Sequence, residues 1–392
     1  MKYEIKTSFL EEFVEVKGGK RLPKGANLQT TPNSHPYIRI RDLGSSKVLE
    51  LNSAYEYVDD ETQKTISRYI VSEGDLLISI VGTIGLVGIV GKSLEKANLT
   101  ENCVKLVNID GIDREYLYYY FASKLGQDEI AKGTVGAVQP KLPIKNIQRI
   151  AIKHPVEIDI QRKIASILRS IDEKIALNNA INNNLEQQAK AIYHQMFIAS
   201  SSPEWTQGTL SDIADITMGQ SPSGSSYNED GIGTVFYQGR AEFGYRFPTQ
   251  RLCTTEPKRM ARENDVLMSV RAPVGDLNVA REDCCIGRGL ASIRSKDNHQ
   301  SFVLYTVFAL QPELDKFNGE GTVFGSINRD SLNKMTIEIP TADEMERFES
   351  LVSPMDAQIR TNHEEILRLE AIRDALLPKL MSGELDVSDV EI

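Results

Sequence analysis

The chain has 392 residues, 41% of them hydrophobic, and sets 45 Lys and Arg against 55 Asp and Glu for a formal charge of −10. That acidity counts against a simple basic nucleic-acid binder, although a phosphate-binding face depends on local clustering rather than on the total. The length allows two sizeable cores, and neither a secretory apolar stretch nor a membrane-length apolar run occurs, so a soluble cytoplasmic protein with no membrane partner is expected.

Residues 1 to 155 alternate short β-branched strands with Gly, Pro and Asn turns. Tyr37-Ile38-Arg39-Ile40, Asp75 to Ile80 and Cys103 to Val107 are the clearest strands, and Glu115 to Lys124 reads as a partly buried helix. From Asp159 to about Ala199 the period becomes helical, and Ser201-Ser202-Pro203 ends that helix. The strand pattern then returns to about Pro340, and a second long helix runs to about Met381. Four segments follow: a head at 1–155, a helix at 156–200, a second head at 201–340, and a second helix with its tail at 341–392.

These segments are one pattern written twice. Glu12 to Gly19 returns as Asp212 to Gly219, and Gly74 to Ile80 as Asn264 to Val270. Gly82 to Gly85 falls on Ala272 to Gly275, Gly133-Thr134-Val135 on Gly321-Thr322-Val323, and Ser170 to Ile175 on Pro354 to Ile359. The order never changes, and the period is far longer than that of a solenoid. A head-to-tail duplication of this kind can fold with pseudo-two-fold symmetry and suits a target made of two half-sites.

In the second long helix Phe348, Val352, Met355, Ile359, Asn362, Ile366, Leu369, Arg373, Leu376 and Leu380 alternate steps of four and three. The first repeats this at Ile164, Leu168, Ile171, Ile175, Asn178, Asn182, Leu185, Ala189, Ile192 and Met196. Such a/d spacing marks a coiled coil, in which a seam Asn fixes register, and Asn178 and Asn362 hold equivalent layers. An antiparallel pairing within the chain would make a dumbbell with a ruler between two heads. Intermolecular zippers are the alternative.

Catalytic apparatus is missing. Gly85 to Ser93 resembles a phosphate loop, but a Walker A motif ending in Gly91-Lys92-Ser93 needs glycine where Leu86 stands, so a strand–turn–strand is the better reading. The five histidines are scattered, and Cys103, Cys253, Cys284 and Cys285 lack zinc spacing and read as buried or free thiols. No metal site is expected. No HExxH, GxSxG or dinucleotide motif occurs, nor an Asn-Pro-Pro-Tyr tetrapeptide of adenine methyltransferases.

Recognition chemistry remains. Lys17, Lys20, Arg21 and Lys24 cluster in a Gly-rich loop, and Arg240, Arg246, Arg251, Lys258, Arg259 and Arg262 are interleaved with Phe243, Tyr245 and Phe247. Lys and Arg position a protein on phosphates, and Arg, Gln and Asn read base edges. Further DNA-binding candidates are Arg39, Arg41, Gln139 and Lys141 in the first head, and Gln238, Arg271, Arg288, Asn328 and Arg329 in the second. Gln139 and Asn328 follow the same glycine-rich turn in the two copies.

Ile160-Gln161-Arg162-Lys163-Ile164-Ala165-Ser166-Ile167-Leu168, Ile171 to Ile175 and Asn178-Asn179 look like one family's central helix. With Ser269-Val270-Arg271-Ala272-Pro273-Val274-Gly275-Asp276 and Leu376 to Leu385, they make the whole chain resemble the specificity subunit of type I restriction–modification systems. The resemblance implies an α+β fold with two β-rich recognition domains separated by two long antiparallel helices. It implies double-stranded DNA with a bipartite site as target, two methyltransferase (modification) subunits and restriction subunits as partners, and no catalysis by this chain. S-adenosylmethionine, ATP and Mg are then expected on the partners. Gln161, Ile164, Leu168, Ile171, Ile175, Asn178, Val352, Met355, Ile359 and Asn362 mark the partner-binding helices. Met345 stands where the first copy has Gln161, which points to an asymmetric partner contact. The competing reading is a non-catalytic coiled-coil scaffold with two protein- or glycan-binding heads, which the acidity favours.

Overall fold

The computed structural model describes residues 3–44, 46–319 and 325–390. Its chain forms two compact units, one joining residues up to Ala176 with those from Glu365 onward, the other running Leu177–Glu364. Each unit therefore holds one head and a piece of both long helices. The repeat of Gly133 to Val135 at Gly321 to Val323 lies outside the described residues.

In the first unit a sheet runs in the order Glu15–Gly18, Cys103–Val107, Leu76–Ser79, Val87–Val90, Val48–Leu49, antiparallel except for the last pair. A second sheet joins Glu56–Tyr57, Pro36–Ile38 and Asn98–Leu99, and Ile5–Phe9 pairs with Ala151–Pro155. Strand Leu76–Ser79 reads as an unbroken apolar run because both its faces are covered. Leu76 and Ile78 point into the core that includes the tyrosine-rich helix Arg114–Ala122, while Leu77 points into a separate core with Ile38, Leu49 and Leu99. The expected strand at Tyr37 to Ile40 stops at Ile38, because the Asp42 carboxylate accepts the Arg39 N–H and folds 40–42 into a short turn.

The second unit repeats this plan. Ala214–Met218, Leu290–Ser295, Val266–Ser269 and Leu277–Val279 form the equivalent antiparallel sheet, Thr206–Thr209 pairs with Thr336–Ile339, and Gln300–Ala309 is the covering helix. Val266 and Met268 face one core and Leu267 the other. All four cysteines are buried and unpaired. Among the described residues no helix is long and apolar enough to cross a membrane.

The first long helix spans Ile158–Tyr193 and ends in a π turn over His194–Ile198; the second spans Ala342–Ser382. Within each unit their pieces run antiparallel. In the first, Lys163 donates to the Ser388 carbonyl at 2.8 Å, Asp172 meets Arg373 at 3.2 Å and Lys174 meets Glu365 at 3.3 Å. In the second, the Asn362 amide donates to Asn182 Oδ1 at 2.8 Å and Tyr193 packs edge-on against Phe348. Asn362 thus pairs with Asn182, not with a copy of its own layer. This corrects the partner-binding assignment of the seam. Ile164, Leu168, Ile175, Asn178, Val352, Ile359 and Asn362 are buried, and Ile171 and Met355 partly so, within the chain's own core. Gln161 is also wholly buried: it accepts from the Asp113 N–H and donates to the Pro155 carbonyl, both at 2.8 Å.

Candidate nucleic-acid interface

The ends of the sheet strands bring the recognition candidates together. In the first head Gly18 pairs with Val104 and Ser79 with Cys103, so the ends of strands Glu15–Gly18 and Leu76–Ser79 share one edge with the start of Cys103–Val107. The segment 17–21 leaves that edge, with Gly19 and Lys20 donating to the Cys103 and Leu99 carbonyls. Lys141 bridges Val81, and Leu142 donates to the Ile80 carbonyl, which places the 135–141 loop beside the turn at 82–85. Lys17, Lys20, Arg21, Arg39, Gln139 and Lys141 therefore gather along this edge, all exposed except the half-buried Arg39; Arg41 and Lys24 are exposed nearby in sequence.

The glycine turn is pinned in the same way in both heads. Ser79 Oγ donates to the Thr83 carbonyl at 2.6 Å and accepts from Leu86 N–H at 2.9 Å; Ser269 Oγ donates to Pro273 at 2.7 Å and accepts from Asp276 at 3.0 Å. Gly85 and Gly275, at φ +90° and +96°, close the two turns. What differs is the side chains these scaffolds present.

In the second head Gly219 donates to Leu290, Val270 to Gly289, and Gly289 to the Gln238 carbonyl, so exposed Gln238, Arg240, Arg271 and Arg288 gather at the corresponding edge. Ile327 donates to Val270 as Leu142 does to Ile80, which aligns Ile327 with Leu142. Asn328 thus corresponds to Pro143, not to Gln139, and its side-chain oxygen caps the short helix Arg329–Asn333 by accepting the Ser331 N–H at 2.9 Å. Arg329 opens that helix and is exposed.

Among the described residues, five of the basic groups at these edges are held by carboxylates. Arg21 meets Glu101 at 2.7 Å, Arg39 and Arg41 converge on Glu56, Lys17 meets Glu15 at 3.0 Å, and Arg240 pairs with Asp276. Burial opposes ionisation of Glu101, but hydrogen bonds from Arg21, Thr100 and its own backbone, with the Arg21 charge, together hold the carboxyl below its ordinary range. Exposed pairs of this kind contribute little to stability and exchange readily with phosphate. They orient the guanidinium groups and offset much of the positive field, consistent with an acidic chain that carries a basic edge.

Arg246 is a different case and corrects its assignment as a DNA contact. It is 4% exposed, meets Glu186 at 3.4 Å, pairs with Asp356, and lies over the Tyr305 ring, whose hydroxyl donates to Asp356 at 3.0 Å. The first head holds the same device, which the sequence reading missed. Lys47 Nζ donates to the Tyr119 hydroxyl at 3.2 Å and meets Glu115 at 3.4 Å, while that hydroxyl donates to Asp172 at 2.6 Å. The Lys47 and Arg246 carbonyls accept from Ile89 and Val279 in turn, so the two cations are structural equivalents. Burial pushes the Lys47 ammonium down from its ordinary value against the pull of Glu115. These clusters join a head to its own long helix.

The phosphate-loop lookalike is filled from within. The Ser93 N–H donates to Glu50 at 3.0 Å, and the Ser93 hydroxyl, which also bonds Glu50, holds its carboxyl below the usual range.

Comparison with known proteins agrees with this architecture. A family model described as the type I restriction modification DNA specificity domain matches residues 2–187 and 203–371. The chain is 30% identical over 380 residues to the type I restriction enzyme MjaX specificity subunit of Methanocaldococcus jannaschii, covering 90% of this chain and 88% of the relative. It is 23% identical to the MjaIX specificity subunit of the same organism, covering 97% and 93%. Among solved structures, the crystal structure of the type I restriction-modification system S subunit from M. genitalium superposes with a TM-score of 0.64 at 14% identity over 97% of this chain and 96% of that one, a likeness of fold.

Proposed function

The chain belongs to the DNA-specificity family of type I restriction–modification systems, and on that premise we propose that each head grips one half of a bipartite DNA site while the two long helices set the spacing and dock the modification subunits. The observation that carries this reading is the pair of matched edges, pinned by Ser79 and Ser269 in the same way yet presenting different side chains. Two scaffolds of one shape suit two half-sites on a regular duplex; different side chains suit different bases. Phosphate contacts by Lys17, Lys20, Arg21, Lys24 and Arg288 fix register, and Arg39, Arg41, Gln139, Lys141, Gln238, Arg240, Arg271 and Arg329 approach base edges.

In this reading the chain is a cytoplasmic, non-catalytic subunit. Methyl transfer belongs to two modification subunits carrying S-adenosylmethionine, and ATP- and Mg-dependent cleavage to restriction subunits. With the seam side chains consumed inside the chain, docking falls to the outward faces of the helices.

The test is to express the chain with its cognate modification subunit and sequence the host DNA for methylated adenines. One split motif is expected, and exchanging residues 1–155 for another head should alter one half of it only. A contiguous motif, or a change in both halves, would remove the reading.

A further inference from the structure

Among the large apolar side chains of the described residues, Val138 is the one that is wholly exposed, at 100%. It sits at the tip of a tight loop. Val135 and Lys141 exchange both backbone hydrogen bonds at 2.9 Å, closing 136–140 at its base. That base is fixed: Leu142 is buried, and the Asn146 amide donates to the Gly133 carbonyl at 2.7 Å. Gly136 takes φ +98°, and a Cβ there would lie 2.7 Å from the Gln139 carbonyl, so the turn requires glycine. The result is an isopropyl group held clear of the protein, with exposed Gln139 next in the loop and exposed Lys141 at its base.

Exposed valines are common singly and need no purpose. This one is distinguished by its place on the edge where the first head's cations gather, and by its complete lack of packing on a braced loop. On a duplex, phosphates and sugars present nothing that rewards a branched alkyl group over a polar one. In the major groove the sequence-bearing apolar feature is the C5-methyl of thymine, and an amide is the matching group for adenine. Resting on the half-site reading above, we propose that Val138 is a specificity-determining residue of the first head, packing against the 5-methyl group of a thymine in the first half-site.

The experiment uses the complex of this chain with its cognate modification subunit and a duplex carrying the split motif. Each thymine of the first half-site, on either strand, is replaced in turn by deoxyuridine, which removes only the methyl group. One position should lose affinity by about fourfold, the worth of one buried methyl. Val138→Ala should bind the thymine and uracil duplexes equally at that position while still discriminating at the second half-site. The proposal is overturned if the first half-site has no A·T pair, if no thymine is sensitive, or if Val138→Ala keeps the wild-type sensitivity. It is also overturned if Val138→Ala weakens both duplexes alike without removing the methyl effect, the mark of a wedge between base steps. Failure of the wild-type complex to bind the intact motif would instead sink the half-site reading, so the two failures are distinct.

Discussion

Two cations of the same type in the sequence have opposite fates in the fold. Arg240 stands at an exposed edge against Asp276, while Arg246, six residues on, is enclosed by Glu186, Tyr305 and Asp356. A buried cation is tolerable only while its partners are present, since removing one member leaves the others charged and desolvated. Arg246→Met is therefore expected to destabilise the second unit by about 3–5 kcal/mol. Lys47→Met should cost less, about 1.5–3 kcal/mol, because Lys47 keeps some access to solvent and its burial already works against its charge. Trp205 is the only tryptophan and lies in the second unit, where its indole N–H donates to Glu344 at 2.7 Å. Its fluorescence in a urea titration should move markedly for Arg246→Met and little for Lys47→Met. Equal shifts from both would mean that the two clusters are not independent joints. Nothing in an Arg codon announces burial, which is why Arg246 reads as a DNA contact from sequence and Lys47 passes unnoticed.

Whole elements are more legible than single side chains, for a periodic reason. Ten positions with alternating steps of three and four can bury one stripe of each long helix, and they do. Strand Leu76–Ser79 is equally plain, because a run with both faces covered has no polar side to confuse it. Where the reading fails, a polar residue competes with the pattern. Asp42 takes the Arg39 amide and ends a strand early. Gln161 looks like a surface contact but stands three residues before Ile164, on the same ladder, and that spacing was the signal that it is buried. Its amide clips the start of helix Arg114–Ala122 and the end of strand Ala151–Pro155 to the long helix. In the second copy Met345 cannot do this, and Glu349 instead accepts the Ser301 and Phe302 amides at 3.1 Å. The asymmetry noticed in the sequence thus concerns how each head is fastened. Gln161→Met should leave the Asp113 N–H unpaired in the core, with the Pro155 carbonyl keeping only its hydrogen bond to the His154 ring, and cost about 1–3 kcal/mol. Far-UV circular dichroism should show an earlier first-unit transition while the Trp205 signal stays in place. A variant as stable as the parent would show that the clip contributes nothing.

The first unit is not a contiguous stretch of chain, because both long helices cross from one unit to the other near Ala176 and Glu365. A head is thus fastened to a helix piece that belongs to its own unit, and the ruler reading can be separated from base recognition. Seven residues inserted after Ala176 and seven more before Glu365 preserve the three-and-four spacing, since a heptad drifts by only about 20° on a straight helix. Each insertion lengthens its helix by about 10 Å, which corresponds to about three base pairs at 3.4 Å per pair. Gln161, Tyr119 and Asp172 on one side, and Arg246, Tyr305 and Asp356 on the other, remain untouched, so the edges that meet the bases keep their form. Three extra base pairs also turn the far half-site by about 100° around the duplex, given 10–10.5 pairs per turn, and the price of that twist should appear as weaker methylation. The expected motif keeps both half-sites and gains about three unspecific pairs between them. The same heptad placed in one helix only leaves two seam positions without a partner and throws the facing layers out of step, which should abolish the assembly. If paired insertions changed the half-site bases, or left the spacer at its original length, the helices would not be what measures the distance.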